Sequence, residues 1–220
     1  MKKTIHQNSI PRVSEENLAA ISARPKEIIR FPRLHEITQW TLESDCQELT
    51  GILQQGNAVR IGYKPHPNHV EILCNTFQQY RHQISFEFSI GSADSNILSL
   101  WEWGAPGFEE RLESLRLAKD SGFHTSVLCA PMLDSRVEVL IEKIAPLVTQ
   151  NIRLELPATA KTLNPARPGD SCLINQGRSL EALFTADRIT ELYSKYKDYE
   201  KIQWGDLISN RLKAGSAIAA

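Results

Sequence analysis

Short β-branched and aromatic runs alternate with amphipathic helical stretches along most of this chain, and that rhythm limits its fold more than any other feature. The runs are EIIRFP at 27–32, AVRIGY at 58–63, ISFEFSI at 84–90, HTSVLCA at 124–130 and IRLEL at 152–156. Between them, TLESDCQELTGILQQG places Leu42, Cys46, Leu49, Ile52 and Leu53 on one helix face and stops at Gly56. PNHVEILCNTFQQYRH opens on Pro67, a good first-turn residue, and carries Val70, Leu73, Phe77 and Tyr80. GFEERLESLRLAKDSG has acids in its first turn and Gly122 at its end, and SRVEVLIEKIAPLV follows the same logic. Five strands separated by helices predict an α/β fold with a parallel sheet and right-handed crossovers, either doubly wound or part of a (β/α) barrel. Both architectures put chemistry at the carboxyl ends of the strands.

The rhythm divides the chain into an N-terminal extension at 1–26, a core at 27–156 and a long loop at 157–185 rich in Pro, Gly, Asn and Ser. Two closing helices follow at 186–214, read from ADRITELYSKYK and KIQWGDLISNRLKA, and a tail at 215–220 is expected to fray. The N-terminus has lysines but no apolar run behind them, so it does not read as a secretory signal, and no stretch approaches a membrane span. Cys46, Cys74, Cys129 and Cys172 are scattered without any C-x-x-C, which reads as reduced thiols in the cytoplasm. A net charge of −1 gives no global reason to expect nucleic-acid binding, and the basic run Arg24, Lys26, Arg30 and Arg33 reads as a solvated face.

The predicted strand ends present His35 and Glu36, Lys64 and His66, Ser89, Ser92 and Asp94, Pro131 and Asp134, and Glu155. His35 and Glu36 read either as a tunable proton donor with its orienting acid or as the start of a helix. Lys64 suits a carboxylate or phosphate at the sheet rim, or is a solvated turn residue between prolines. His66 and His69 lack a third ligand nearby, so a zinc site is disfavoured. SIGSADSN has one glycine and is neither a dinucleotide fingerprint nor a phosphate loop; its Ser89, Ser92 and Asp94 can bond ribose hydroxyls or form local turns. WEWGAPGFEER sets Glu102 between Trp101 and Trp103, ahead of Arg111 on a helix. Such a carboxylate is costly to bury unless paired, and Arg111 is the obvious partner or co-ligand.

These segments, RFPRLHEIT, GNAVRIGYKPH, SIGSADSNILSLWEWGAPGFEERLESLRLAKDSGFHTSVLCAPMLD and YEKIQWGDLI, together resemble the radical S-adenosylmethionine (SAM) superfamily over roughly residues 27–213. The branch they resemble is the spore photoproduct lyase and DNA repair photolyase-like group. The resemblance implies an incomplete (β/α)6 barrel holding a [4Fe-4S] cluster and SAM at the strand carboxyl ends, with a 5′-deoxyadenosyl radical that abstracts substrate hydrogen. It places Ser89 and Ser92 near the SAM ribose, Lys64 and Arg111 at its carboxylate, and Glu102 as the family acid before the Ala-Pro. Trp103 stands where the family often has proline, and Ala130 where close relatives often have glutamate.

The family's C-x-x-x-C-x-x-C does not occur, and the expectation is that its first strand and cluster loop are missing, leaving five strands of six. The leading reading is therefore the C-terminal part of a radical enzyme core, inactive by itself, whose cluster-bearing segment comes from another chain or a longer reading frame. One alternative is a non-catalytic scaffold that pairs through an exposed strand edge. Another is an unrelated barrel hydrolase using His35, His66 and Asp134.

Overall fold

The computed structural model describes residues 28–157, 179–180 and 182–218, with side chains described up to residue 214. The N-terminal extension, most of the long loop and Cys172 lie outside the described residues. A parallel sheet runs in strict sequence order, β1 (Ile28–Phe31), β2 (Ala58–Tyr63), β3 (Ile84–Ser89), β4 (His124–Cys129), β5 (Ile152–Leu154) and β6 (Ile202–Trp204). Helices α1 (Leu42–Gln54), α2 (Pro67–Thr76), α3 (Ser95–Trp101), α4 (Phe108–Asp120), α5 (Val137–Ile144), α6 (Ala186–Tyr196) and α7 (Asp206–Ile218) complete the described elements. Sequential parallel order is the winding of a partial barrel, because right-handed crossovers that always advance the same way leave every connecting helix on one face.

The expected count of five strands is corrected to six among the described residues. Ile202–Trp204 opens the stretch read as the last helix, yet it pairs with β5 in the register Ile152↔Ile202 and Leu154↔Trp204. A three-residue strand is too short to display a period, and the adjoining helix masks it. Gly205 then lets the chain turn under Glu155, whose carboxylate an added Cβ would meet at 2.0 Å, and α7 begins at Asp206. That helix continues to Ile218, over the first four residues of the expected frayed tail.

One side of the sheet carries the core. Val59, Ile61 and Tyr63 of β2, Phe86 and Phe88 of β3, Val127 and Cys129 of β4 and Ile152 and Leu154 of β5 are buried together with Leu49, Leu53, Val70, Leu73, Leu115, Leu140 and Ile144 from the helices. Strand residues of opposite parity point to the other side, where Arg30, His124, Arg153 and Gln203 are exposed.

The turn after β3 packs against the turn after β4 at van der Waals distance. Leu133 N–H bonds the Gly91 carbonyl at 2.9 Å, and a Cβ on Gly91 would lie 2.7 Å from Leu133 Cδ1 and 2.8 Å from the Pro131 carbonyl oxygen. The backbone oxygen cannot yield without moving the turn, so Gly91→Ala is expected to cost about 1–3 kcal/mol. A urea melt in which this variant matches the parent would refute the packing argument.

Candidate functional site

The carboxyl ends of β1 to β4 enclose a cavity of about 850 Å³. Its walls come from the segment after β1 (Glu36 to Trp40), the β2–α2 turn (Lys64, His66) and first turn of α2 (Asn68, His69), the α3–α4 turn (Trp101 to Pro106) and the segment after β4 (Pro131, Leu133). The volume falls within the range of small-molecule sites. Strand register puts these four turns side by side, so a cavity at this edge follows from topology before any side chain is considered.

The β1 and β2 rims are joined by charge. Glu36 accepts from the Lys64 backbone N–H at 2.9 Å and from Lys64 Nζ at 3.0 Å, which sets the ammonium on the cavity wall. His66 precedes α2 as its N-cap, with Pro67 in the first turn, and its Nε2 lies 3.7 Å from Glu110 Oε1. The His69 ring sits 5.1 Å from that of His66. Burial, and next the neighbouring His66, hold the His69 imidazole below its ordinary pKa, while a backbone hydrogen bond at Ile37 pulls the other way.

The opposite wall depends on Arg111, which is fully buried. Gly107 begins α4, where Glu110 Oε2 accepts the Gly107 N–H at 2.9 Å and Ser95 Oγ accepts the Phe108 N–H at 2.9 Å. From that first turn Arg111 reaches back. Its Nε donates to the Pro106 carbonyl at 2.8 Å, its Nη1 to the Ser89 carbonyl at 2.9 Å, and its Nη2 lies 2.5 Å from Glu102 Oε2. Glu102 closes α3, Gly104 supplies the left-handed turn at φ +78°, and Ala105 N–H bonds the Glu102 carbonyl. One guanidinium thus ties the end of β3, the α3–α4 turn and the cavity's acid together.

Of the residues singled out from sequence, Lys64 and Glu102 line the cavity, as do Glu36, His66 and Pro131. Arg111 lies behind Glu102 and does not reach the cavity; it acts through the acid it holds. Ser89 is half-buried and offers its carbonyl to Arg111. Ser92 is buried and donates to Asp134, while its oxygen accepts the Asp94 N–H at 3.0 Å. Asp134, with Asp94 and Arg136, lines a separate cavity of about 200 Å³, and Ser92 is in the lining of neither cavity. His35 is directed to Asp45 on α1, at 2.8 Å. Sequence reasoning missed Trp40, which is 84% exposed and lines the cavity together with Trp103, 69% exposed. An unpaired tryptophan just ahead of a helix is the only signal that could have pointed to Trp40.

The three described thiols do not by themselves fit an iron–sulfur cluster. Cys46 and Cys74 stand on α1 and α2 and Cys129 ends β4. Burial, then the Asp45 and Glu43 charges, push the Cys46 thiol up to about 11, and burial pushes Cys74 up to about 11. Burial, reinforced by Asp134 and Glu102, raises Cys129 further. Cluster ligation needs convergent thiolates, and these are separated thiols held protonated. No trio of His, Cys, Asp or Glu able to hold a metal ion occurs among the described residues.

Replacing Arg111 by Leu removes the counter-charge of a largely buried carboxylate and is expected to cost about 3–5 kcal/mol. Arg111→Lys should recover only part of this, since an ammonium cannot reach three acceptors held in a planar fork. Chemical denaturation of both variants tests the claim, and a Lys variant as stable as the parent would contradict it. The lowered pKa of His69 makes stability depend on pH. Its folded pKa lies below the ordinary 6.5, so the unfolded chain binds more protons there and the histidine's stabilising contribution is lost as pH falls below 6.5. His69→Gln is expected to flatten that part of the stability–pH curve; an unchanged slope would exclude the histidine as its source.

No family model, no curated protein and no solved structure matches this chain.

Proposed function

We propose that this chain is the C-terminal part of a SAM-dependent radical enzyme core and that the cavity at the β1–β4 carboxyl edge is its SAM site. The observation that carries the reading is the convergence of Lys64 and Glu102 on one cavity of about 850 Å³, at the rim where the resemblance puts that cofactor. The residues suit its parts. Lys64 is the cation for the methionyl carboxylate, the exposed faces of Trp40 and Trp103 suit the adenine ring and a sulfonium, and Glu36 and Glu102 suit an ammonium. When bound and reductively cleaved in the complete family, SAM supplies a hydrogen-abstracting radical. The contribution of this chain is to bind and orient. Arg111 holds Glu102 in place, the Glu36–Lys64 pair fixes the ammonium, and the tryptophans and proline of the Trp101 to Pro106 turn supply apolar wall beside Glu102. The cluster belongs to another segment, because the described thiols do not converge.

A second reading, a non-catalytic module that pairs with a partner chain, is supported by β1, which among the described residues pairs on one side only, with Ile28 58% and Leu34 97% exposed beside it.

Calorimetric titration with SAM and with S-adenosylhomocysteine is expected to give saturable binding, weakened roughly tenfold by Lys64→Ala. Binding of neither ligand would sink the proposal and leave the partner module as the reading. Anaerobic reconstitution with iron and sulfide is expected to leave the isolated chain without a stoichiometric, SAM-responsive cluster.

A further inference from the structure

The face of the sheet opposite the described helices bears a charge arrangement that the fold does not require. Register sets Arg30 of β1 directly beside Arg60 of β2, and Gly62 directly beside Glu87 of β3. Like charges opposed on neighbouring strands destabilise a sheet unless something is held between them. Here that something is Glu87, whose Oε2 bonds Arg30 Nη2 and whose Oε1 lies 3.6 Å from Arg60 Nη1. The Glu87 side chain is only 9% exposed, whereas those of Arg30 and Arg60 are 61% and 37% exposed. Gly62 leaves the floor beside them open, because a Cβ there would sit 3.8 Å from Glu87 Oε2 and 3.9 Å from Arg30 Nε. Two strands further on the same face, Arg153 is exposed, and among the described residues it has no ion partner.

Among the described strand residues this face carries three guanidiniums and one carboxylate, which pairs with Arg30 and Arg60 alone, in a protein whose overall charge is −1. Each guanidinium has five N–H donors in a planar fork, and Glu87 engages only a small part of those on Arg30 and Arg60. The side chains on this face that are not charged are mostly short or polar, with Ser85, Ser89 and Ser126 in adjacent registers, so it is not an apolar surface awaiting a protein core.

We infer that the face of the sheet opposite the described helices binds a phosphate monoester group through Arg30 and Arg60, with Glu87 as the internal anion that the phosphate competes with. Phosphate is favoured over carboxylate because it presents three acceptor oxygens to two forks and carries close to two charges against the excess of positive charge. The site is independent of the SAM reading, since none of these residues lines the 850 Å³ cavity.

The test is a titration of the full chain with inorganic phosphate, followed by nuclear magnetic resonance of the arginine side chains, with acetate as the carboxylate control. Arg60→Gln is expected to weaken phosphate binding about tenfold or more. Glu87→Gln, which removes the competing charge while keeping a polar side chain, is expected to tighten it several-fold, and Lys64→Ala should leave it unchanged. Thermal melts confirm that each variant is folded; if Arg60→Gln is not, the sign of the Glu87→Gln effect decides. A Glu87→Gln affinity equal to or below the parent's would mean the arginine–glutamate bridge is only a cross-strand ion pair. Absence of phosphate binding, or acetate binding as tightly, would also overturn the inference.

Discussion

The buried guanidinium of Arg111 is the constraint on which the rest of the site depends. It closes three gaps at once: the carbonyl at the end of β3, a carbonyl in the α3–α4 turn, and the carboxylate of Glu102. Burying one such charge is expensive, and the arrangement survives because Nε and Nη1 each donate to a carbonyl while Nη2 sits at ion-pair distance from the Glu102 carboxylate. The α3–α4 turn therefore cannot drift from β3, and the cavity wall it forms stays rigid. A charge placed this way is a positioning element, and the ligand meets the acid it holds.

The two faces of the sheet divide the labour. One is sealed by helices and made of Phe, Ile, Val and Leu, and it supplies the stability. The other carries arginine, serine, glutamine and one bridged glutamate. Between them, at the carboxyl edge, the turns after β1 to β4 converge on the cavity. The protein can afford polar chemistry at the edge and on the free face because the helix side already buries the apolar surface.

Much of this was legible from residue pattern. β1 to β5 fall inside the five aromatic and β-branched runs, and the helix stops at Gly56 and Gly122 stand where left-handed glycines end α1 and α4, with φ of +76° and +82°. Pairing of Glu102 with Arg111 followed from the cost of an unpaired carboxylate beside tryptophans. β6 was not legible, because three residues carry no period and Ile-Gln-Trp earns its strand only by finding β5. Ser89 and Ser92 illustrate the same limit. A serine after a strand can face a ligand or its own turn, and here one offers its backbone to Arg111 while the other bonds Asp134.

Local chemistry settled the class of the molecule. Alternating periods demand strands and helices, right-handed crossovers demand a parallel sheet, and glycines and first-turn acids mark where each helix begins or ends. Tertiary structure decided the rest, because the remaining questions concern distances between residues far apart in the chain. Which parity of each strand lies under helices, whether Arg111 faces ligand or interior, and that Arg30 and Arg60 meet over Glu87 are consequences of register and winding. A strand alternates its side chains whatever its neighbours are; only the sheet's winding says which alternate is covered.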